Sequence, residues 1–438
     1  MSTVIGGVAE TEAGDGEAGI SEAVDFAAVM QSDAFRRDPY PTYARMRAEC
    51  PMYRAPQGVW YVTRHADVEQ ALGDLRLSND RERMTGALVA RDGRMRDLSR
   101  LTARLGRVMS NTDPPDHARL RGLVNKAFTA RRVEELRGRI QTVVDRLVDD
   151  AVAGEGNGNG EGKGKGAEPV DLLSAVASPL PHTVVCELFG IPEADRERVK
   201  EWFRGLGRIH EDIERAERVV DEFEAYLTGL ARQRRAAPGD DLISALVTAQ
   251  ARGDRLTDHE LLSTCFMLIT AGDETTTNLI GNGVLALLRH PDQLARLRAE
   301  PTLIRTAVDE IVRYDSPSQA IVRVAAEDVP LGGRTVPAGD LVYLLLASAG
   351  RDPDRHQEPD RLDLTRPAHR HLGFGHGPHF CLGAPLARLE AELAIGTLVR
   401  RLPSLRLAVP AAELQWRPNP LQRRLTALPV LYTDQKRK

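Results

Sequence analysis

The sequence predicts a mainly α-helical fold with a smaller β region. Apolar residues recur at helical spacing through most of the 438 residues. Residues 321–347 differ, because glycine-containing turn signals there separate short runs of β-prone residues. A hydrophobic content of 42% is ample for a large core.

Two segments are predicted to lie outside that core. Residues 1–25 are rich in Gly, Ala, Glu and Ser, which is typical of a disordered tail. Residues 153–169 form a low-complexity Gly, Asn and Lys run, which we interpret as a mobile loop between two helical segments.

Composition limits the classes of partner. A formal net charge of -4 gives no reason to expect nucleic acid or an anionic membrane as a partner. The four cysteines are far apart and form no disulfide framework. Since neither a signal peptide nor an apolar run of about 20 residues is recognisable, we expect a reducing, cytoplasmic setting.

One predicted helix stands out. Residues 258–289 follow a capping box formed by Thr257 and Glu260, stop before Pro291, and are apolar nearly all round. A helix of this kind is buried, and at ~1.5 Å per residue it is about 48 Å long. Its centre, 270–277, nevertheless contains glycine, two carboxylates and several threonines, which weaken a buried helix. Sites tend to lie where local rules are broken in this way.

The second unusual stretch surrounds Cys381. Residues 373–383 read Gly-Phe-Gly-His-Gly-Pro-His-Phe-Cys-Leu-Gly, and an amphipathic helix follows. A free cysteine is usually a small buried hydrophobe. Here, however, the helix N-terminus favours a thiolate, and the preceding glycines let a flat partner approach the backbone and aim N–H groups at the sulfur. Thiolate ligation of haem iron requires such an arrangement.

Phe374, Gly377, Cys381 and Gly383 together resemble the haem-binding loop of the cytochrome P-450 family, and 271–276 resembles its oxygen-binding helix motif. The similarity covers nearly everything except the tail and is greatest to soluble bacterial members of natural-product pathways. It implies a single large haem-enclosing domain over 26–438, haem b with Cys381 as the axial iron ligand, and dioxygen as co-substrate.

The resemblance also assigns the centre of the long helix. Glu274 and Thr275 occupy the acid and alcohol positions, while Ala271 and Gly272 leave room for haem and oxygen. A hydroxyl can hold dioxygen and an ordered water, and a carboxylate can relay protons to it. The alternative is a threonine that bonds back to its own helix.

Four cationic side chains are implied for the haem propionates: His117 and Arg121, four residues apart on one helical face, together with Arg323 and His379. For each arginine the alternative is a surface salt bridge. In the family a Glu–Arg pair three residues apart locks the segment before the haem loop. Glu310 and Arg313 match it, and Arg361 is the expected partner.

Three positions depart from the family pattern: Gly350 replaces an asparagine, His356 replaces an aromatic residue, and Asp273 stands where a histidine is frequent. Apolar side chains are expected to line a substrate pocket over the haem, although plain core packing explains them equally well. They are Met109, Phe266, Ile269, Ala320, Ile321 and Leu421.

The resulting hypothesis is a haem-thiolate monooxygenase that inserts one oxygen atom into a mostly apolar small molecule, such as a polyketide, macrolide or peptide intermediate. Because the chain contains no flavin or iron–sulfur segment, electrons are expected from NAD(P)H through a ferredoxin reductase and a ferredoxin. Basic residues are candidates for the docking face: Arg119, Lys126, Arg131 and Arg132.

Three alternatives remain at this point. The first is a haem-binding sensor or recruitment protein without turnover, and the second is a peroxide-driven peroxygenase. The acid–alcohol pair argues against both. The third is a Cys381-dependent hydrolase with His379 as its base.

Overall fold

The structure is a computed structural model that describes residues 25–91, 108–154, 169–206, 213–251, 254–367 and 371–432. The predicted tail at 1–25 and the predicted loop at 153–169 lie outside the described residues, apart from their ends.

Helices dominate the described chain, which confirms the predicted class. Their bounds are α1 Phe26–Val29, α2 Asp33–Arg37, α3 Tyr40–Glu49, α4 His65–Gly73, α5 Arg81–Arg91, α6 Asp116–Ala127, α7 Ala130–Glu135, α8 Arg137–Ala153, α9 Pro179–Leu188, α10 Glu193–Leu206, α11 Ile213–Ala236, α12 Leu242–Thr248, α13 Asp258–Arg289, α14 Pro291–Ala299, α15 Ile304–Tyr314, α16 Leu346–Gly350 and α17 Ala384–Arg401. Across the described residues, no helix combines the length and apolar character needed to cross a membrane.

The strands are short, and the central ones contribute to a second core cluster. Their bounds are β1 Met52–Arg54, β2 Val59–Val62, β3 Leu77–Ser78, β4 Val170–Asp171, β5 Gln250–Ala251, β6 Asp254–Arg255, β7 Ile321–Ala325, β8 Val329–Leu331, β9 Arg334–Val336, β10 Leu341–Leu344, β11 Arg406–Leu407 and β12 Pro429–Leu431. The main sheet has the order β1-β2-β10-β7-β3, and only the β2–β10 pair within it is parallel. The strands predicted within 321–347 are therefore confirmed.

The long helix α13 runs through the largest core and packs against α9, α15 and α17. Its N-terminus carries the predicted capping box: Thr257 Oγ1 accepts from the Glu260 N–H at 3.2 Å, and a Glu260 carboxylate oxygen accepts from the Thr257 N–H at 2.9 Å. At the other end, a Cβ on Gly283 would lie 2.8 Å from Ile395 of α17. The absence of a side chain there lets the two helices approach closely.

A buried ion pair fixes the chain ahead of the cysteine loop. Arg313 donates through Nε and Nη2 to the two carboxylate oxygens of Glu310, at 2.7 and 2.8 Å. Its remaining donors bind the backbone carbonyls of Gly350 and Pro359 at 2.8 Å and of Arg361 at 3.1 Å. Because Glu310 and Arg313 are 4% and 2% exposed, neither charge is satisfied by water.

The prediction that Arg361 provides the partner side chain is wrong. Its guanidinium binds Glu358 at the surface, 3.1 Å away, and only its carbonyl joins the network. The chain turns back after this point, so the side chain that reaches Glu310 is Arg366, at 3.2 Å.

Two of the departures from the family pattern have a local explanation. A Cβ on Gly350 would lie 2.5 Å from the Arg313 carbonyl oxygen, so the close approach of this segment to α15 requires a residue without a side chain. His356 is buried and packs edge-on against His65 of α4, with ring centroids 5.8 Å apart. It therefore fills the place of an aromatic ring.

We expect Arg366→Ala to lower the free energy of unfolding by about 2 kcal/mol, because it removes a charged hydrogen bond from buried Glu310. The matched substitution Arg361→Ala removes an exposed guanidinium and is expected to change stability by less than about 0.5 kcal/mol. Urea unfolding of the two variants measures both values, and equal effects would contradict the assigned network.

Candidate active site

A cavity of about 410 Å³ lies between the middle of α13 and the loop that carries Cys381. From α13 it is lined by Ala271, Gly272 and Thr275. Most other lining side chains are apolar, including Leu279 and Leu386. Both segments that broke local rules in the sequence therefore meet at one site.

The cysteine loop is built from two tight turns. Gly375 and Gly377 have φ angles of +75° and +69°, which other residues rarely adopt. The Cys381 N–H donates to the Phe374 carbonyl at 2.8 Å, and α17 begins three residues later. These bonds hold the sulfur at the helix N-terminus, as predicted from the sequence.

The N–H groups that reach the sulfur do not come from the glycines before Cys381. They come from Gly383 and Ala384, in the first turn after it. Burial raises the pKa of the Cys381 thiol, and these N–H groups together with the Arg121 guanidinium act in the opposite direction. The preceding glycines shape the loop rather than stabilise the thiolate.

The four side chains predicted to be cationic converge at one end of the cavity. The His117 and His379 rings stack with centroids 3.9 Å apart, and Arg121, Arg323 and His379 line the cavity wall. Burial, together with the positive charge of His117, Arg323 and Arg121, lowers the pKa of His379 to about 3. Among the described residues, no acidic side chain forms an ion pair with either arginine.

His117, like the two arginines without ion-pair partners within the described ranges, indicates that this end of the cavity suits an anion. Its Nε2 atom is buried and has no hydrogen-bond partner in the described chain, and an unpaired buried polar atom is costly. Carboxylate groups entering this end of the cavity would satisfy both that atom and the two arginines.

At the centre of α13, successive side chains diverge. Thr275 lines the cavity, and its hydroxyl donates to the Ala271 carbonyl at 2.9 Å. Glu274 does not line the cavity; its carboxylate binds Arg424 at 2.6 Å. The acid and the alcohol are therefore neighbours in sequence but have different partners.

Asp273, the third departure from the family pattern, has a carboxyl group whose charged form is disfavoured by its surroundings. Burial and the adjacent charge of Glu274 raise the pKa of Asp273 to about 6, although Arg424 opposes the shift. Burial raises the pKa of Glu390, and the charge of Asp273 raises it further.

The predicted substrate contacts divide into two groups. Met109 and Ile321 line the cavity. Phe266 instead packs edge-on against Phe223, with ring centroids 5.5 Å apart, and Ile269 is fully buried in the core. Because each helical residue turns the side chain by about 100°, the cavity receives their neighbours Met267 and Leu268.

The two remaining predictions are also wrong. Ala320 is buried in a separate core cluster with Tyr40 and Tyr43. Leu421 is 37% exposed and contributes a backbone carbonyl to Gln319 rather than a side chain to the cavity. Ala320 directly precedes strand β7, where neighbouring side chains point to opposite sides, so Ile321 lines the cavity and Ala320 does not. Leu421 lies in the turn of a hairpin closed by the bridge between Trp416 and Leu425.

Sequence reasoning missed several lining residues. Val185, Leu188 and Phe189 of α9 contribute apolar surface, and Ser318 contributes a hydroxyl. Glu390 was also missed: it is 2% exposed, lines the cavity, and has an unpartnered carboxylate oxygen. The signal was its place four residues after Leu386, on the apolar face of the helix.

Comparisons with known proteins agree with this geometry. The family model "Cytochrome P450" matches residues 82–405. Cytochrome P450 monooxygenase PikC of Streptomyces venezuelae is 45% identical over 402 residues, which are 90% of this chain and 91% of PikC. The vitamin D(3) 25-hydroxylase of Pseudonocardia autotrophica is 44% identical over 405 residues, 91% of this chain and 95% of that protein. The solved structure of the tirandamycin C-bound P450 monooxygenase TamI has a TM-score of 0.79 at 40% identity, covering 92% of this chain and 99% of TamI.

The chain therefore belongs to the cytochrome P450 family. It is a haem-thiolate monooxygenase that uses dioxygen. The residues of the cavity fit a haem: a cysteine with N–H donors at its sulfur, an apolar slot, and at one end two arginines beside two histidine rings, with His117 Nε2 lacking a partner in the described chain.

Asp273 predicts a pH-dependent stability. Its folded-state pKa of about 6 is raised above the unfolded value, so the carboxyl costs nothing at low pH and destabilises the fold as the pH rises through 6. Since Asp273→Asn removes this titration, its advantage over the wild type in free energy of unfolding is expected to grow by about 1 kcal/mol between pH 5 and pH 7.

Urea unfolding of the haem-loaded proteins at both pH values measures that difference. The exposed substitution Asp354→Asn serves as the control. An advantage of Asp273→Asn that is the same at both pH values would show that Asp273 is ionised at pH 5 as well.

Proposed function

We propose that residues 26–438 form a monooxygenase domain that inserts one oxygen atom into a C–H or C=C bond of a mostly apolar secondary metabolite. The observation that carries the proposal is the mostly apolar cavity lined by both Cys381 and Thr275. The names of two relatives support a mostly apolar small-molecule substrate: one hydroxylates vitamin D(3), and TamI binds tirandamycin C.

In this proposal Cys381 would bind the haem iron, and the N–H groups of Gly383 and Ala384 would stabilise its thiolate. His117, Arg121, Arg323 and His379 would bind the propionates, while Phe374, Gly377 and Gly383 would shape the loop around the haem. When bound, the haem supplies the iron that activates dioxygen. The protein's own task is to hold substrate, exclude bulk water and deliver protons.

Proton delivery is assigned to the acid–alcohol pair. Thr275 faces the cavity, and its hydroxyl oxygen keeps acceptor capacity while its proton is donated to Ala271. Glu274 is 40% exposed, so water reaches its carboxylate. Ala271 and Gly272, on the same wall, leave the space beside Thr275 open.

Electrons are proposed to come from a ferredoxin and its NAD(P)H-dependent reductase in the cytoplasm, a setting that four free cysteines support. Of the predicted docking cations, three are engaged by acidic side chains: Arg119 by Asp254 and Glu260, Arg131 by Glu135, and Arg132 by Asp240. The docking face is therefore less positive than the sequence suggested. Phe380, next to Cys381 in sequence and 39% exposed, offers an apolar contact to the proposed ferredoxin.

The alternatives fare less well. Among the described residues, no hydrogen bond joins Cys381 Sγ to a histidine, so the hydrolase lacks its base. A sensor or a peroxygenase has no use for an acid beside the cavity alcohol, and both groups are in place.

The decisive spectrum is that of the reduced, carbon monoxide-bound protein. A strongly red-shifted Soret band is expected for the wild type and should be lost in Cys381→Ser, because a serine hydroxyl is a much poorer donor to iron. Tirandamycin C and vitamin D(3) can then be tested for a spin-state shift and for oxygenated product. Haem bound with an unshifted band in the wild type would overturn the thiolate assignment.

Thr275→Ala and Glu274→Gln are expected to slow ferredoxin-driven oxygenation on the order of a hundredfold by removing proton delivery. Oxygenation driven by hydrogen peroxide should change much less, because peroxide arrives with its electrons and protons. Product assays with both electron sources make the comparison. Equal losses in the two assays would assign these residues a structural role instead.

A further inference from the structure

The carboxylate of Glu274 is held by a single arginine from a distant part of the chain. Arg424 Nη1 lies 2.6 Å from Glu274 Oε1, and the two side chains are 32% and 40% exposed. Thr275, the next residue of α13, faces the cavity instead. The direction of the acid is therefore set by Arg424, outside the cavity.

Arg424 belongs to a hairpin formed by residues 415–426. Its carbonyl accepts from the Arg417 N–H at 2.9 Å, and the Thr426 N–H donates to the Gln415 carbonyl at 2.8 Å. The side chain of Asn282, on α13, donates to the Arg423 carbonyl at 3.2 Å. The hairpin is thus bound to α13 at two places, by the hydrogen bond from Asn282 and by the ion pair with Glu274.

The same hairpin is bonded to the cavity wall. The Arg423 N–H donates to the Pro317 carbonyl at 2.8 Å, and the Gln319 N–H donates to the Leu421 carbonyl at 2.8 Å. Pro317 and Ser318 line the cavity. The hydrogen bond from the Arg423 N–H to the Pro317 carbonyl, followed by the peptide link from Arg423 to Arg424, therefore connects the cavity wall to the guanidinium that binds Glu274.

We propose that Arg424 is a positioning residue for Glu274: its ion pair fixes the carboxylate on α13 and ties that orientation to the Pro317–Ser318 wall of the cavity. The proposal rests on the proton-delivery role proposed above for Glu274. Arg424 transfers no proton itself and acts on the reaction only through Glu274. A molecule bound against Pro317 and Ser318 would affect the orientation of Glu274 through the hairpin.

The chemistry gives a readout that needs no known substrate. Dioxygen reduced by two electrons and two protons leaves as hydrogen peroxide, whereas four electrons and four protons give two waters. NADH, through a ferredoxin and its reductase, supplies the electrons in either case. Because the second path needs further protons at the cavity, poor proton delivery diverts electrons to hydrogen peroxide.

The first test is a double-mutant cycle of wild type, Arg424→Gln, Glu274→Gln and the double variant, all haem-loaded. NADH consumed and hydrogen peroxide released give the rate of the water-forming path. This rate is expected to fall on the order of a hundredfold in Glu274→Gln and on the order of tenfold in Arg424→Gln, which keeps the acid. The double variant should fall no further than Glu274→Gln, since residues that act through one another are not additive.

Matched variants separate positioning from general damage. Arg424→Lys keeps a cation and should recover part of the loss, while Arg417→Gln, on the facing side of the hairpin, should match the wild type. Additive losses in the cycle, or no loss in Arg424→Gln, would overturn the proposal. If wild type itself releases all its electrons as peroxide, the role proposed for Glu274 fails first, and the proposal falls with it.

The second test does not depend on turnover. Hydrogen exchange of residues 271–277 is compared with and without 4-phenylimidazole, an aromatic azole that enters an apolar haem cavity. We expect the azole to change exchange at 415–426 in both proteins. At 271–277 the change should be larger in wild type than in Arg424→Gln, where only direct contacts with Ala271, Gly272 and Thr275 remain. The same response at 271–277 in both proteins would show that the wall and the acid are not linked through Arg424.

Discussion

The buried guanidinium of Arg313 is the constraint on which the active-site loop depends. All five of its N–H donors are used, two on Glu310 and three on the carbonyls of Gly350, Pro359 and Arg361. Burying a charge is costly, and only full pairing of this kind offsets the cost. A lysine has too few donors and no planar fork, so it would leave the segment ahead of the cysteine loop unheld.

The same helix, α15, also holds the loop from its other end. Asp309 accepts from Arg388 of α17 at 2.7 Å and contacts His371 Nε2 at 3.2 Å. Gly373, which opens the cysteine loop, lies so close to Val312 that a Cβ would be 2.4 Å from it. One amphipathic helix therefore fixes the chain before, at and after the loop, and the sulfur is placed by packing on α15 as much as by its own turns.

The sequence was sufficient for features that depend on local chemistry. The capping box, the length of α13 and the turns of the cysteine loop follow from residue type and spacing. The convergence of His117, Arg121, Arg323 and His379 was expected only from the resemblance to the cytochrome P-450 family. Sequence reasoning failed where the outcome depended on which way the chain turns. Arg366 rather than Arg361 reaches Glu310 because of a reversal within 358–366, and Leu421 faces away from the cavity for a similar reason. Phe266 and Ile269 differ from Met267 and Leu268 only in helical phase, which the apolar pattern of an all-round buried helix does not define.

Because α13 is apolar nearly all round, the polar residues at its centre stand out as a candidate site. Three consecutive residues, about 100° apart, face three environments. Asp273 acts on Glu390 of α17 and has its pKa raised by burial to about 6, Glu274 binds Arg424, and Thr275 faces the cavity. Asp and Thr have lower helix propensities than leucine, and burial of the Asp273 carboxyl adds a desolvation cost, so helix stability alone does not account for these residues. The cost is confined to one turn of α13, whose residue Thr275 lines the same cavity as Cys381, and this is the turn to which we assign proton delivery.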